Sequence, residues 1–165
     1  MRLSTAAASV QVLVTGLISG IFIAIATTEP ARLSIEPSAF VQLQQGIHVV
    51  YLRMMPPLVI AAILAGIVWL ISLRSQVRSA AFFLAAIATV CSIGAFILTV
   101  AVNFPLNDLL MTWNAASPPA NVKALWLPWE SAHIVRTVIY MIAFVCAITG
   151  SVLMRSNSQT EYLKK

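Results

Sequence analysis

Residues 103–136, NFPLNDLLMTWNAASPPANVKALWLPWESAHIVR, form a polar island in an otherwise apolar chain. The island holds Trp113, Trp126 and Trp129 of four tryptophans, four of the eight prolines, two of the five acids and one of the two histidines. Outside it, apolar runs dominate. Of the 165 residues, 60% are hydrophobic and 9% are charged, whereas a soluble domain averages about 45–50% and 25%. Such a surface cannot be solvated by water, so the chain reads as one polytopic membrane domain, 1–165, with the island held at a membrane face. The net charge of +5 gives no footing for nucleic acid, because basic and aromatic residues do not interleave along a face.

Working outward, the apolar runs predict an all-α fold: a four-transmembrane-helix bundle with helices at about 8–28, 37–73, 79–103 and 128–154, and a polar tail at 155–165. A long, partly ordered extracytoplasmic loop is expected between the third and fourth helices. The first helix competes with a cleaved signal peptide, since Arg2, the apolar run and Ala24-Ile25-Ala26 mimic its three parts; its length favours a retained span. Gly16 and Gly20 form a GxxxG pair that permits close helix approach, within the chain or in a homo-oligomer. Residues 29–37 read as a loop. Pro56 and Pro57 are expected to kink the long second helix. Pro105 is expected to end the third, with Phe104 extended before it.

Basic residues set the expected orientation. Arg2, the Arg74/Arg78 turn and the Arg155, Lys164, Lys165 tail fall on one side of a four-helix arrangement, and positive residues stay cytoplasmic. The prediction is a multi-pass protein of the inner (plasma) membrane, both termini cytoplasmic, with 103–130 outside. Cys91 and Cys146 sit midway along apolar runs and read as small buried hydrophobes.

Ionisable groups inside a span are functional candidates by default. On the fourth helix Trp129, His133, Arg136 and Tyr140 recur at i, i+4, i+7 and i+11, which is one face. Glu130 lies beside them. This row could offer a base (His133 or Glu130), a cation (Arg136) and a phenol (Tyr140) to one ligand. Its structural alternative is that Arg136 neutralises a carboxylate while Trp129 anchors the interface. Asn103 and Asn107 could bond a polar ligand or cap helices. Gln44, His48 and Tyr51 share a stripe on the second helix. Glu130-x-x-His133 has the spacing used in di-metal carboxylate bundles, with Asp108 and Gln44 as further donors. That chemistry needs several carboxylates, which leaves at most a mononuclear site of His48, His133 and Glu130; no metal is expected.

The motif Asn103-x-Pro105-Leu106-Asn107-x-x-Leu110, then Trp113, then Trp129-x-x-x-His133-x-x-Arg136, resembles the anthrone oxygenase-like family of small four-helix membrane proteins. The glycine-bearing first helix and the 40–44 region with its following prolines fit as well. The resemblance implies oxidation of a lipophilic aromatic anthrone by molecular oxygen without a dedicated cofactor. It assigns Asn103, Asn107, Trp129, His133 and Arg136 to the site. A base would remove an acidic benzylic proton, and Arg136 with the asparagine amides would hold the oxyanion. The substrate would enter sideways from the bilayer. The competing function is a non-enzymatic membrane accessory or small-molecule-binding protein, for which the same residues would bond one another and leave no cavity. A transporter is disfavoured by the short chain without an inverted repeat.

Overall fold

The computed structural model describes residues 2–162, with side chains over 3–155; Lys164 and Lys165 lie outside the described residues. Every regular element is helical: α1 Arg2–Thr27, α2 Glu29–Ser34, α3 Pro37–Ser72, α4 Ala80–Leu98, α5 Phe104–Thr112 and α6 Val122–Tyr162. A 3₁₀ turn, Arg74–Gln76, joins α3 to α4, and a π turn, Thr99–Asn103, joins α4 to α5. Among the described residues, four stretches are long and apolar enough to cross a membrane: Leu3–Ser34, Pro37–Ser72, Ala80–Thr112 and Val122–Arg155. The chain is a multi-pass membrane protein. The many exposed leucines, isoleucines and valines, such as Leu13, Ile60, Val90 and Val145, are the lipid-facing complement of a small core.

That core has three levels. At one end Trp69 packs among Ala81, Ala85, Ala88, Ala143 and Ala147, small residues that let α3, α4 and α6 approach closely. In the middle Ile18, Phe22, Ala62, Ala95 and Tyr140 meet. At the other end Phe40, Val41, Leu110, Trp113, Val122 and Trp126 close the bundle. Two glycines set helix spacing. A Cβ on Gly66 would stand 2.4 Å from Thr89 Oγ1, so α3 and α4 touch there. A Cβ on Gly16 would stand 2.8 Å from the Phe144 ring, whereas Gly20 faces open space. The first half of the GxxxG pair is therefore used inside the chain, against α6.

The structure departs from the sequence expectation at the polar end. Residues 29–34 are a helix, not a loop, with Pro30 in the first turn, where its missing N–H has no intrahelical acceptor in any case. Most of the expected long loop is helical: α5 fills 104–112, leaving 113–121 irregular. Phe104 is helical (φ −63°, ψ −51°) rather than extended. The reason is the π turn, in which the Phe104 N–H donates to Thr99 O five residues back. The wider turn restarts the helix so that Pro105 falls in its first turn, where no donor is needed. Helix α6 starts at Val122, not at 128, with Pro128 internal. Burial of Val122 and Trp126 against Phe40, Val41, Leu110 and Trp113 holds the turns before the proline. Gln45 ties this end together, its Nε2 donating to Leu110 O (3.0 Å) and Trp113 O (2.9 Å) and so capping α5 from α3. Helix α3 runs without a break through Pro56 and Pro57. Those residues have no N–H, so Leu52 O and Arg53 O lose their usual donors.

Candidate functional site

The i, i+4, i+7, i+11 row on α6 is built as its spacing requires. The indole of Trp126 stacks on Trp129 (4.9 Å, 16°) and Trp129 on His133 (5.0 Å, 13°). One turn further, the Arg136 guanidinium lies 5.7 Å from the Trp129 ring centre and 5.0 Å from that of Phe22, so a buried cation is held between π faces. His133 is committed at both nitrogens: Nε2 lies 3.0 Å from Phe22 O and Nδ1 3.1 Å from Arg136 Nη2. A guanidinium only donates, so Nδ1 accepts and Nε2 carries the proton that is donated to Phe22 O. The ring is thereby the neutral Nε2–H tautomer. Arg136 Nη1 donates to Thr99 Oγ1 at 3.0 Å, which fastens α6 to the π turn.

That turn also presents Asn103, whose Nδ2 donates to Trp129 O (3.3 Å). One turn above, Asn107 Oδ1 accepts from Trp129 Nε1 at 2.8 Å. The asparagines reach α6 with their side chains, Asn103 from the π turn and Asn107 from α5. Three atoms of this cluster are buried without partners: Asn103 Oδ1, Arg136 Nε and Tyr140 Oη. A buried polar group left unpaired costs about 1–3 kcal/mol. Three of them on neighbouring residues mark a place where something polar belongs.

Asn103, Arg136 and Tyr140 also line a cavity of about 120 Å³, several times the 10–15 Å³ that one water requires. Gln44, His48, Asn103, Asn107, Trp129, His133, Arg136 and Tyr140 all face it, so eight of the nine residues singled out from the sequence converge. The rest of its wall is apolar, from Phe22 and Ile25 of α1, Met55 and Val59 of α3, and Phe96 of α4. His48 makes no hydrogen bond to the described residues.

Glu130 is the exception. Its carboxylate points away from the cavity into a bidentate bridge with Arg32 of α2 (Oε1–Nη1 2.6 Å, Oε2–Nη2 3.0 Å). Trp126 Nε1 donates to the same carboxylate at 3.0 Å. Gln44, with its amide oxygen turned inward, accepts from Arg32 Nη1 (2.7 Å) and Trp126 Nε1 (2.8 Å). Arg32 Nη2 also donates to Ile25 O (3.0 Å). The pair is closed to solvent, with side chains 6% and 2% exposed. Glu130 is thus a structural anion that neutralises a buried cation, and it braces the tryptophan stack from behind.

The donors for a mononuclear metal are not gathered. Among the described residues no three of His, Cys, Asp and Glu come together. Glu130 is bound to Arg32, His133 spends both nitrogens, and Asp108 is exposed. Cys91 and Cys146 are half-buried free thiols. Sequence reasoning missed Arg32, Phe22, Thr99 and Gln45. Arg32 carried one usable signal, a lone basic residue in a short segment that faces an unmatched acid elsewhere. The other three carried none, because ordinary residue types acquire their roles here only through contact.

Fold and site together define a four-helix membrane protein with a polar-headed, apolar-walled cavity at one end of the bundle. The family model described as Anthrone oxygenase matches residues 47–146, which takes in the lower part of the α3 stripe and the whole of α4, α5 and the α6 row. The chain belongs to the anthrone oxygenase family. No curated protein and no solved structure matches it.

Proposed function

We propose that the cavity binds a lipophilic aromatic ketone of the anthrone type and promotes its oxidation by molecular oxygen. The observation that carries this is that Asn103, Arg136 and Tyr140, each with a buried polar atom left unpaired, line a cavity whose far wall is apolar. In this reading the flat hydrocarbon lies against the apolar wall, and the ketone oxygen lies toward Asn103, Arg136 and Tyr140. Tyr140 and Arg136 donate to that oxygen, while Asn103 Oδ1 accepts a hydrogen bond from a neighbouring ring hydroxyl. Loss of a proton from the ring carbon opposite the carbonyl makes an enolate, and donors already aimed at its oxygen lower the barrier most in a dry site. The enolate carbon then bonds to O2, and the peroxide anion takes back the proton from the protonated base. The resulting hydroperoxide loses water to leave a second carbonyl, so one oxygen atom ends in product and one in water.

A neutral imidazole takes the proton. His48 has its ring uncommitted on the cavity wall, whereas His133 must first surrender Arg136 from Nδ1. His133 acts only where the ketone oxygen draws Arg136 away before proton loss, and His48 acts without rearrangement. Glu130 takes no part in this step. An inert accessory role would leave these residues bonded to one another around a solid core, and the cavity speaks against that arrangement.

The same reading sets the protein in the inner (plasma) membrane. Arg74, Arg78 and Arg155 then face the cytoplasm, and the cavity lies toward the outer face. Purified protein supplied with emodin anthrone in aerobic detergent solution should form anthraquinone with one O2 consumed per product. Arg136→Ala should lose about 10²–10³-fold in kcat/KM, as removal of an oxyanion donor does. A rate no faster than spontaneous oxidation, or full activity in Arg136→Ala, would end the proposal.

A further inference from the structure

The cavity has an open side. Leu52 of α3 (53% exposed), Phe96 of α4 (40%) and Phe104 of α5 (38%) line it and also meet the surroundings. These residues lie on opposite sides of the seam between α3 and the α4–α5 limb. Lower down the seam is shut, because Gly66 lets Thr89 pack directly on the α3 backbone. The two helices are in close contact at Gly66 and Thr89, and the cavity lies above that point. Each carries an irregularity beside the cavity. On α3 it is Pro56 and Pro57, which leave Leu52 O and Arg53 O without intrahelical donors. On the facing limb it is the π turn at Thr99–Asn103, a rare irregularity that concentrates at functional sites.

The depth of this opening follows from helix rise. Leu52 stands 20 residues before Ser72, the end of α3, or about 30 Å. Phe96 stands 16 residues after Ala80, the start of α4, or about 24 Å. The charged turn with Arg74 and Arg78 marks one membrane boundary. A hydrocarbon layer is about 30 Å thick, so the opening sits at its opposite edge, at the headgroup boundary. Exposed Arg53 lies next to Leu52, at the depth where a lipid-facing arginine can reach phosphates. Amphipathic aromatic molecules also collect at that depth.

We infer that the seam between α3 and the α4–α5 limb is a lateral portal, opening at the headgroup edge of the bilayer, with Leu52, Phe96 and Phe104 as its frame. A lipophilic aromatic with a polar edge enters from the membrane without crossing water, its hydrocarbon passing the frame and its oxygen ending at Arg136 and Tyr140. Residues at the frame select by width and thickness, and Asn103, Arg136 and Tyr140 select by polarity. This inference rests on reading the cavity as a ligand site, but not on any reaction there.

The test uses the full chain in lipid nanodiscs and a small aryl diazirine dissolved in the bilayer. After photolysis, labelled residues are mapped by mass spectrometry. The portal predicts label on Trp129 and Tyr140 as well as on the outward-facing Ile60 and Ile97. Leu52→Trp should cut the Trp129 and Tyr140 label several-fold, Phe96→Ala should raise it, and Ile60→Trp should leave it unchanged. Label confined to Ile60 and Ile97 in the unsubstituted protein would overturn the portal, and so would interior label indifferent to Leu52→Trp. Plug-sensitive interior label without anthrone turnover would keep the portal and sink the oxygenase reading. If turnover is present, Leu52→Trp should raise KM and spare kcat.

Discussion

Removing one partner of the Arg32–Glu130 bridge should destabilise the protein far more than removing both. The two side chains are 6% and 2% exposed, and their contacts at 2.6 and 3.0 Å are bidentate. Arg32→Met leaves the Glu130 carboxylate buried with Trp126 Nε1 as its remaining donor, and it also strips a donor from Ile25 O. Glu130→Leu leaves a guanidinium facing Gln44 and Ile25 O. Breaking a buried pair costs about 3–5 kcal/mol because a charge is left uncompensated. At about 1.4 kcal/mol per decade, the folding constant falls by two to three and a half orders of magnitude. The double substitution Arg32→Met/Glu130→Leu removes both charges and should fall within about 1 kcal/mol of the unsubstituted protein, since apolar replacement of such a pair is often neutral or better. Reversible unfolding in mixed micelles with rising SDS, followed by far-UV circular dichroism, gives all four corners of the cycle. Single substitutions costing under about 1 kcal/mol, as exposed pairs do, would refute the assignment of Glu130 as a buried structural anion. A double substitution costing the sum of the singles would refute it equally, because uncoupled residues add.

The hydroxyl of Tyr140 gives a second test. Tyr140→Phe removes a buried, unpartnered group, so stability should hold or rise by up to about 1–3 kcal/mol while anthrone turnover falls; a loss of stability with unchanged turnover would make the hydroxyl structural. Gly66→Ala puts a Cβ 2.4 Å from Thr89 Oγ1 and should cost about 1–3 kcal/mol by overpacking. Gly20→Ala, with open space around it, should be neutral in the same unfolding assay. For orientation, alkaline phosphatase inserted in the irregular stretch 113–121 should be active, and fused after residue 165 it should be inactive; the reverse pattern would invert the topology.

Much was legible in the one-dimensional pattern. Long apolar runs oblige the backbone to satisfy its own hydrogen bonds in lipid, so four helices follow from run length alone. The α6 row is likewise local, because residues at i, i+4, i+7 and i+11 share a face wherever the helix is placed. That is why Trp129, His133, Arg136 and Tyr140 could be named together, and why Gln44, His48 and Tyr51 could be named as one stripe of α3. Helix boundaries near proline were less legible. Pro105 read as the end of one helix and Pro128 as the start of the next, yet a π turn accommodates the first and the packing of Trp126 and Val122 carries the helix back past the second.

What each polar group bonds to is a tertiary matter. Glu130 and His133 looked interchangeable as bases, since both are ionisable and lie within one turn. The fold separates them: Arg32, 98 positions away, claims Glu130, and Arg136 with Phe22 O claims both nitrogens of His133. A buried charge must meet its opposite whichever element carries it, and sequence distance places no limit on that choice. The same holds for the cavity. Periodicity supplied most of its polar residues, but the space between them is bounded by α1, α3, the α4–α5 limb and α6 together, a property of the packed helices and of none alone.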